Sequence, residues 1–200
     1  MSLLSHTPLI LASTSPYRRR LLERLELAFT CAAPETDETP RPGEAPDALA
    51  CRLGDAKALA VAALHPESVV LGSDQVAALP SMILGKPGSF SVAQQQLRLC
   101  SGQSVEFYTA VSLAQRDTVI AQRCVRTTVR FRSLANAEII DYVRRDEPLD
   151  CAGSFRWEGL GICLFKSLES DDPTALEGLP LIATCDMLRS VGLYPLKTTI

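Results

Sequence analysis

Histidine is nearly absent from this 200-residue chain, which has only His6 and His65. A histidine-built zinc site or a serine–histidine pair therefore has little material. Paired cysteines are missing too. Cys31, Cys51, Cys100, Cys124, Cys151, Cys163 and Cys185 stand singly, with no C-x-x-C among them. They read as reduced, mostly buried thiols of a cytosolic protein. No apolar run approaches the ~18 residues that span a bilayer, and the first residues lack a signal-peptide pattern. The expected place is the cytoplasm, without a membrane partner. Positive charge is not in excess, since the net charge is −3 and the pI about 5.5. Binding long nucleic acid through its phosphates needs many uncompensated Lys and Arg, so that class is disfavoured, whereas a small anionic ligand is not. With 46% hydrophobic and 22% charged residues, and no repeat, low-complexity tract or long linker, residues 1–200 read as one domain with a sizeable core.

What is present is organised around residues 9–25, LILASTSPYRRRLLERL. Leu9, Ile10 and Leu11 predict a buried strand, and Ala12 to Ser15 form a turn of small residues that lets the backbone approach a ligand. Ser15 suits an N-cap and Pro16 the first helical position. Leu21, Leu22 and Leu25 then recur at helical spacing. A helix N-terminus beside such a turn is suited to phosphate. Arg18, Arg19 and Arg20 occupy a first turn where acids are expected. Either they meet an anion or they form a solvated basic face.

Residues 34–46, PETDETPRPGEAP, are too rich in proline for regular structure. Glu35, Asp37 and Glu38 there either coordinate a hard cation or turn the chain at the surface. Pro46 predicts a helix start, with Leu49, Leu53, Ala56, Ala60 and Leu64 as the inward stripe and Lys57 beside it, snorkelling. Residues 68–76, SVVLGSDQV, read as a buried strand ending at Gly72, Ser73 and Asp74. An acid there serves chemistry at a strand end or caps a turn. A short strand with Lys86 in its closing turn follows, then a helix capped by Ser91. Residues 105–131 alternate about an Arg116-Asp117 turn, predicting an antiparallel hairpin with one wet face. A helix over 136–145 buries Ile139, Ile140 and Val143. Gly153, Gly159 and Gly161 surround Trp157 and Glu158 in a pocket-lining loop or a tight connection, and 181–191 forms the last helix.

Taken in order, ASTSPYRR, APETDET, GDAKALA, LGSDQV, LGKP, CAGSF and GLPL make the chain resemble the Maf family of nucleotide pyrophosphatases over nearly its whole length. The resemblance implies an α/β fold shared with inosine triphosphatases: a long mixed sheet flanked by helices, with two lobes around a central cleft. It also implies hydrolysis of a nucleoside triphosphate to the monophosphate and pyrophosphate with a divalent metal (Mg, Mn or Co), and frequent homodimers. Carried over by motif, Asp74 is the proton acceptor and a metal contact, and Ser13, Arg18, Lys57 and Lys86 hold the triphosphate. Glu35 or Glu38 supplies the metal's other carboxylate. Tyr17, Gln75 and Glu158 occupy the positions that separate substrates. The dTTP/UTP branch usually carries Arg, Thr and Gln there, and the 7-methyl-GTP branch Trp, Gln and Glu. Two of the three positions here follow the second pattern, and Tyr17 keeps an aromatic face. The expectation is therefore 7-methyl-GTP, read by Glu158 with Gln75 donating to O6. The alternatives are the same chemistry on dTTP or UTP, and a nucleotide-binding regulator of cell division without turnover.

Overall fold

An apolar run without alternation needs cover on both faces. Leu9–Ala12 (β1) is such a run, and all four of its residues are buried. It lies between Phe29–Ala32 (β2) and Val69–Leu79 (β3) and is parallel to both. Its odd residues, Leu9 and Leu11, pack with Leu21 and Leu22 of Pro16–Glu23 (α1) and with Met187 and Leu188 of Leu181–Ser190 (α5). Its even residues, Ile10 and Ala12, meet Ala58, Val61 and Ala62 of Pro46–Ala62 (α2). An eight-residue helix such as α1 is marginal alone. Burying Leu21 and Leu22, worth about 1.5–3 kcal/mol each, is what holds it in place. The computed structural model describes residues 8–196, so His6 and the opening residues lie outside the described residues.

The remaining strands are Met82–Leu84 (β4), Ser104–Gln115 (β5), Thr118–Phe131 (β6) and Phe165–Ser170 (β7), and the remaining helices are Phe90–Cys100 (α3) and Asn136–Asp146 (α4). Together the strands make a seven-stranded mixed sheet in the order β2-β1-β3-β5-β6-β7, with β4 also on β3. This is the α/β architecture that the motifs implied.

The strand expected to stop at Asp74 instead runs eleven residues, because β5 pairs with it from Val70 to Ala78. Its other edge is discontinuous. There β1 pairs only as far as Gly72, and β4 only from Ala77. Residues 73–76 thus have a sheet neighbour on one side only, and Asp74 is mid-strand in that gap. The core divides at the same level. Val105 and Phe107 of β5 join the cluster under α3 and α4, while Val111 and Leu113 join the cluster under α1 and α5.

Several local expectations change. In α2 the buried residues include Leu49, Leu53, Gly54, Lys57, Ala58 and Val61, whereas Leu64 is 76% exposed. The stripe is rotated from the one expected, and Lys57 lies within it. The β5–β6 hairpin turns at Arg116, but β5 is covered on both faces from Thr109 to Ala114, where α2 crosses it. Ser89, not Ser91, caps α3, accepting from the Val92 N–H. In α4, Tyr142 and Asp146 are buried with Ile139 and Val143, while Ile140 is only partly covered. The cysteines are unbridged as expected, but only Cys100 is buried. Asp172 caps α5, accepting from the Ile182 N–H at 2.7 Å and the Ala183 N–H at 3.2 Å.

The proline-rich loop is tied to α2 by a two-point pair. Arg52 Nε lies 2.6 Å from Glu44 Oε1 and Arg52 Nη2 lies 2.8 Å from Oε2, while Glu44 also accepts from the Arg41 N–H. The Arg52 bond, then the Arg41 one, holds the Glu44 carboxyl down from 4.5 to about 2. A depressed carboxyl stabilises the fold above its ordinary pKa and ceases to as pH falls through the folded value. Glu44→Gln is therefore expected to lower the thermal midpoint at neutral pH. That deficit should shrink as pH drops from 4.5 toward about 2, which melting curves across the range will check.

Candidate active site

Two glycines bring the catalytic candidates together. A side chain at Gly72 would run into the Gly54 carbonyl and Ala58, so its absence lets α2 lie directly on β3. That contact aims Lys57, 6% exposed, at Asp74, 7% exposed. Lys57 Nζ stands 2.6 Å from Asp74 Oδ1 and 2.7 Å from Glu38 Oε1. One ammonium thus joins a carboxylate of the sheet to one of the proline-rich loop. Asp74 Oδ2 meets no protein donor among the described residues. Burial by itself would raise the Glu38 carboxyl, but the Lys57 contact, with Lys86 and Arg18 farther off, holds it below its ordinary range.

Gly178 is the second. At φ +107°, a conformation that L side chains rarely adopt, it turns its carbonyl to accept from Arg18 Nε at 2.8 Å and from Ser73 Oγ at 2.9 Å. This fixes the Arg18 guanidinium at the cleft. Burial pushes its pKa down against the attraction of Asp74 and Glu38, yet an arginine so placed stays charged. At the start of α1, Ser15 accepts from the Arg18 N–H as the N-cap, and Ser13 Oγ accepts from the Ser15 N–H at 3.1 Å. The small-residue turn is therefore ordered by its own hydroxyls.

The cleft between the two core clusters encloses about 610 Å³. Ser13, Tyr17, Arg18, Glu38, Lys57, Asp74, Gln75, Lys86 and Glu158 all line it, which brings nearly every residue singled out from the sequence to one place. Glu35 is exposed and lies outside the lining. Arg19 and Arg20 also lie outside it: Arg19 pairs with Glu23 on the surface, and Arg20 lies over one face of the Tyr17 ring, 5.2 Å from its centre. Gln75 differs from expectation. Its Nε2 donates to Ala175 O at 2.9 Å and has Thr109 Oγ1 at 3.0 Å and Leu176 O at 3.2 Å, so it presents its carbonyl, not its amino group, to a ligand.

Some of these features were not found from sequence. Ser73 and Thr109, with the carbonyls of Ala175, Leu176 and Gly178, form a backbone shelf; Ser73 and Gly178 lie inside LGSDQV and GLPL but were given no role there, and the other members lie outside every quoted motif. Glu177 lines the cleft, and burial, aided by Glu158, pushes its carboxyl above the ordinary range. Among the described residues no three His, Cys, Asp or Glu side chains cluster closely enough to hold a metal unaided. Asp74 and Glu38 nevertheless offer hard oxygen donors at one point. That donor set fits a magnesium-type ion shared with ligand phosphates, the usual way such ions are held.

Comparison with known proteins agrees with this arrangement. The family model described as Maf-like protein matches residues 8–191. A 7-methyl-GTP pyrophosphatase of Bordetella pertussis (strain Tohama I) is 55% identical over 189 residues, covering 94% of this chain and 94% of that protein. Proteins of the same name from Bordetella avium (strain 197N) and Polaromonas sp. (strain JS666) are each 54% identical. The first covers 95% of this chain and 96% of its own length. The second covers 92% and 85%. With motifs, sheet and family model agreeing from β1 through α5, the chain belongs to the Maf-like protein family.

Proposed function

We propose that this chain hydrolyses 7-methyl-GTP to 7-methyl-GMP and pyrophosphate. The observation that carries the reading is the Lys57–Asp74 pair, set among Arg18 and Lys86 in a cleft that also holds Glu158. The names of the relatives support it. A triphosphate brings about four negative charges, which fixed cations must offset before water can reach phosphorus. Arg18, Lys57 and Lys86 supply those cations, and the Ser13 turn at the start of α1 receives phosphate oxygens. Asp74, through Oδ2, takes the proton of the water that attacks the α-phosphorus. The new bond is water oxygen to α-phosphorus, the bond broken is α-phosphorus to bridging oxygen, and pyrophosphate leaves. A divalent ion held by Asp74 and Glu38 with the phosphates would lower the charge on the leaving pyrophosphate.

The base reading rests on Glu158 and Gln75. An ionised glutamate only accepts, and the guanine edge presents N1–H and N2–H side by side. With its amino group committed to the backbone shelf, Gln75 adds a second acceptor, its Oε1. Uracil and thymine set carbonyls around a single N3–H and oppose both. The N7-methyl group makes the base cationic, which suits the carboxylate and the open face of Tyr17. Nucleoside triphosphates are cytoplasmic solutes, so the cytoplasm is the proposed place, and the homodimer implied by the family belongs to the same reading. Among the described residues no helix is long and apolar enough to cross a membrane.

The test is kcat/KM for 7-methyl-GTP, GTP, dTTP and UTP. The wild type should rank 7-methyl-GTP first, and Glu158→Gln should lose much of that preference by mismatching donors and acceptors. A wild-type preference for dTTP or UTP would sink the substrate assignment but leave the pyrophosphatase reading standing. An unchanged ranking in Glu158→Gln would place that residue outside base recognition.

A further inference from the structure

Two acceptors at the base leave one atom of the guanine edge without a partner. Glu158 and the Gln75 carbonyl serve N1–H and N2–H. The neighbouring O6 is itself an acceptor and needs a donor, but the Gln75 amino group is spent on Ala175 O, Leu176 O and Thr109 Oγ1. That donor has to come from elsewhere in the cleft. Trp157 has one to give. It lines the cleft beside Glu158, and part of its ring packs on the core cluster that contains Phe107, Phe131 and Phe155. Its indole N–H is closed off from solvent and meets no acceptor among the described residues. An indole nitrogen only donates, and a donor buried without a partner carries the full cost of its lost hydration. Most buried polar groups are paired, so this exception calls for a reason.

The backbone around the indole is well held. Trp157 and Glu158 are the two corner residues of a turn closed by the Gly159 N–H, which donates to Arg156 O at 3.2 Å, and the Gly161 N–H donates to the same oxygen at 3.0 Å. Arg156 is pinned in its turn: its N–H donates to the Tyr142 hydroxyl at 3.0 Å and its Nη2 to Asp146 Oδ1 at 2.7 Å. That Nη2 is thereby withdrawn as a rival donor. We propose that the Trp157 indole N–H is the donor to O6 of the bound base, the ring turning from its enclosed position to meet it. The proposal rests on the nucleotide chemistry above and deepens it. Adjacent residues of one turn, a donor and an acceptor, then match adjacent atoms of one base edge, an acceptor and a donor. Because the N–H has no protein partner to give up, the bond to O6 is gained without breaking another. The competing role is purely structural, with the ring only filling space over the core.

Replacing O6 by sulfur separates the two roles, because sulfur is the poorer acceptor and the rest of the base keeps its donors. Inhibition constants of GTP and 6-thio-GTP are measured against hydrolysis of 7-methyl-GTP. In the wild type 6-thio-GTP should bind about 3- to 10-fold more weakly than GTP, the size of one hydrogen bond between neutral groups. In Trp157→Phe, which keeps an aromatic ring and removes the N–H, the two constants should agree within about twofold. Trp157 is also the only tryptophan of the chain, so its fluorescence reports on this site directly. The product 7-methyl-GMP should change the emission, and pyrophosphate should leave it as it is. Equal constants in the wild type, a sulfur penalty that survives in Trp157→Phe, or emission that answers pyrophosphate as it answers 7-methyl-GMP would overturn the proposal. Should Trp157→Phe not fold, the two wild-type measurements decide alone. If the wild type prefers UTP or dTTP, the substrate assignment fails by itself, and the indole donor is tested in the same way with UTP against 4-thio-UTP and with UMP for the emission.

Discussion

Asp74→Asn is expected to give a folded protein that binds nucleotide and hydrolyses it at least ~100-fold more slowly, the lower end for loss of a positioned general base. Asparagine has the shape of aspartate, and its Oδ1 can still accept from Lys57, so the buried β3–α2 contact stays filled. What disappears is the second oxygen as a proton acceptor, the atom that no protein donor occupies. Purified variant, thermal melting, nucleotide binding and pyrophosphate release together separate the effects. Unfolding would mean that the substitution tests packing and not chemistry. Near-normal turnover would remove Asp74 from the proton-acceptor role and move attention to Glu38, whose carboxylate shares the same ammonium, or to Glu35.

Lys57→Met carries the second large effect, and it acts twice. Turnover should fall about 100-fold or more, because a fixed cation that meets developing phosphate charge is worth that much in a dry site. Stability should fall as well, by about 3 kcal/mol, the low end for removing one partner of a buried ion pair because Glu38 is half in water. For a chain of this size that is a drop of about 6–12 °C in the thermal midpoint. Lys86→Ala serves as the contrast. Lys86 is exposed in the turn after β4 and has no ion-pair partner among the described residues. Its loss should weaken kcat/KM while leaving the midpoint near that of the wild type. If Lys57→Met melts as the wild type does, the buried pair is not part of the folding energetics. If Lys86→Ala keeps full kcat/KM, that lysine belongs to the solvated surface.

The site was legible to the extent that its chemistry is local. Ser13 through Arg18 could be read as a turn, a cap and a helix start because each signal lies within four residues of the next, and β1 and α1 fall where those signals place them. The hairpin turn at Arg116 and the last helix were legible for the same reason. Asp74 lines the cleft, but it sits in the middle of β3 and not at the strand end where the sequence places it. Nothing within a few residues of Gly72 says that β5 will pair on past it to Ala78. Strand length is set by the partner strand, and that partner lies some forty residues away.

Sequence alone determined the composition class, the order of elements and the residue types available for phosphate and base. Those follow from periodicity, turn chemistry and motif spacing, which are properties of neighbours along the chain. Tertiary structure decided the rest. It turned α2 so that Lys57 faces inward, because Gly72 lets the helix lie directly on β3 and Gly54 lets it lie close against β5. It set the direction of the Gln75 amide, because three acceptors in other segments claim its Nε2. Each of these depends on which surfaces meet after the chain has closed over long sequence separations, where short-range pattern carries no information.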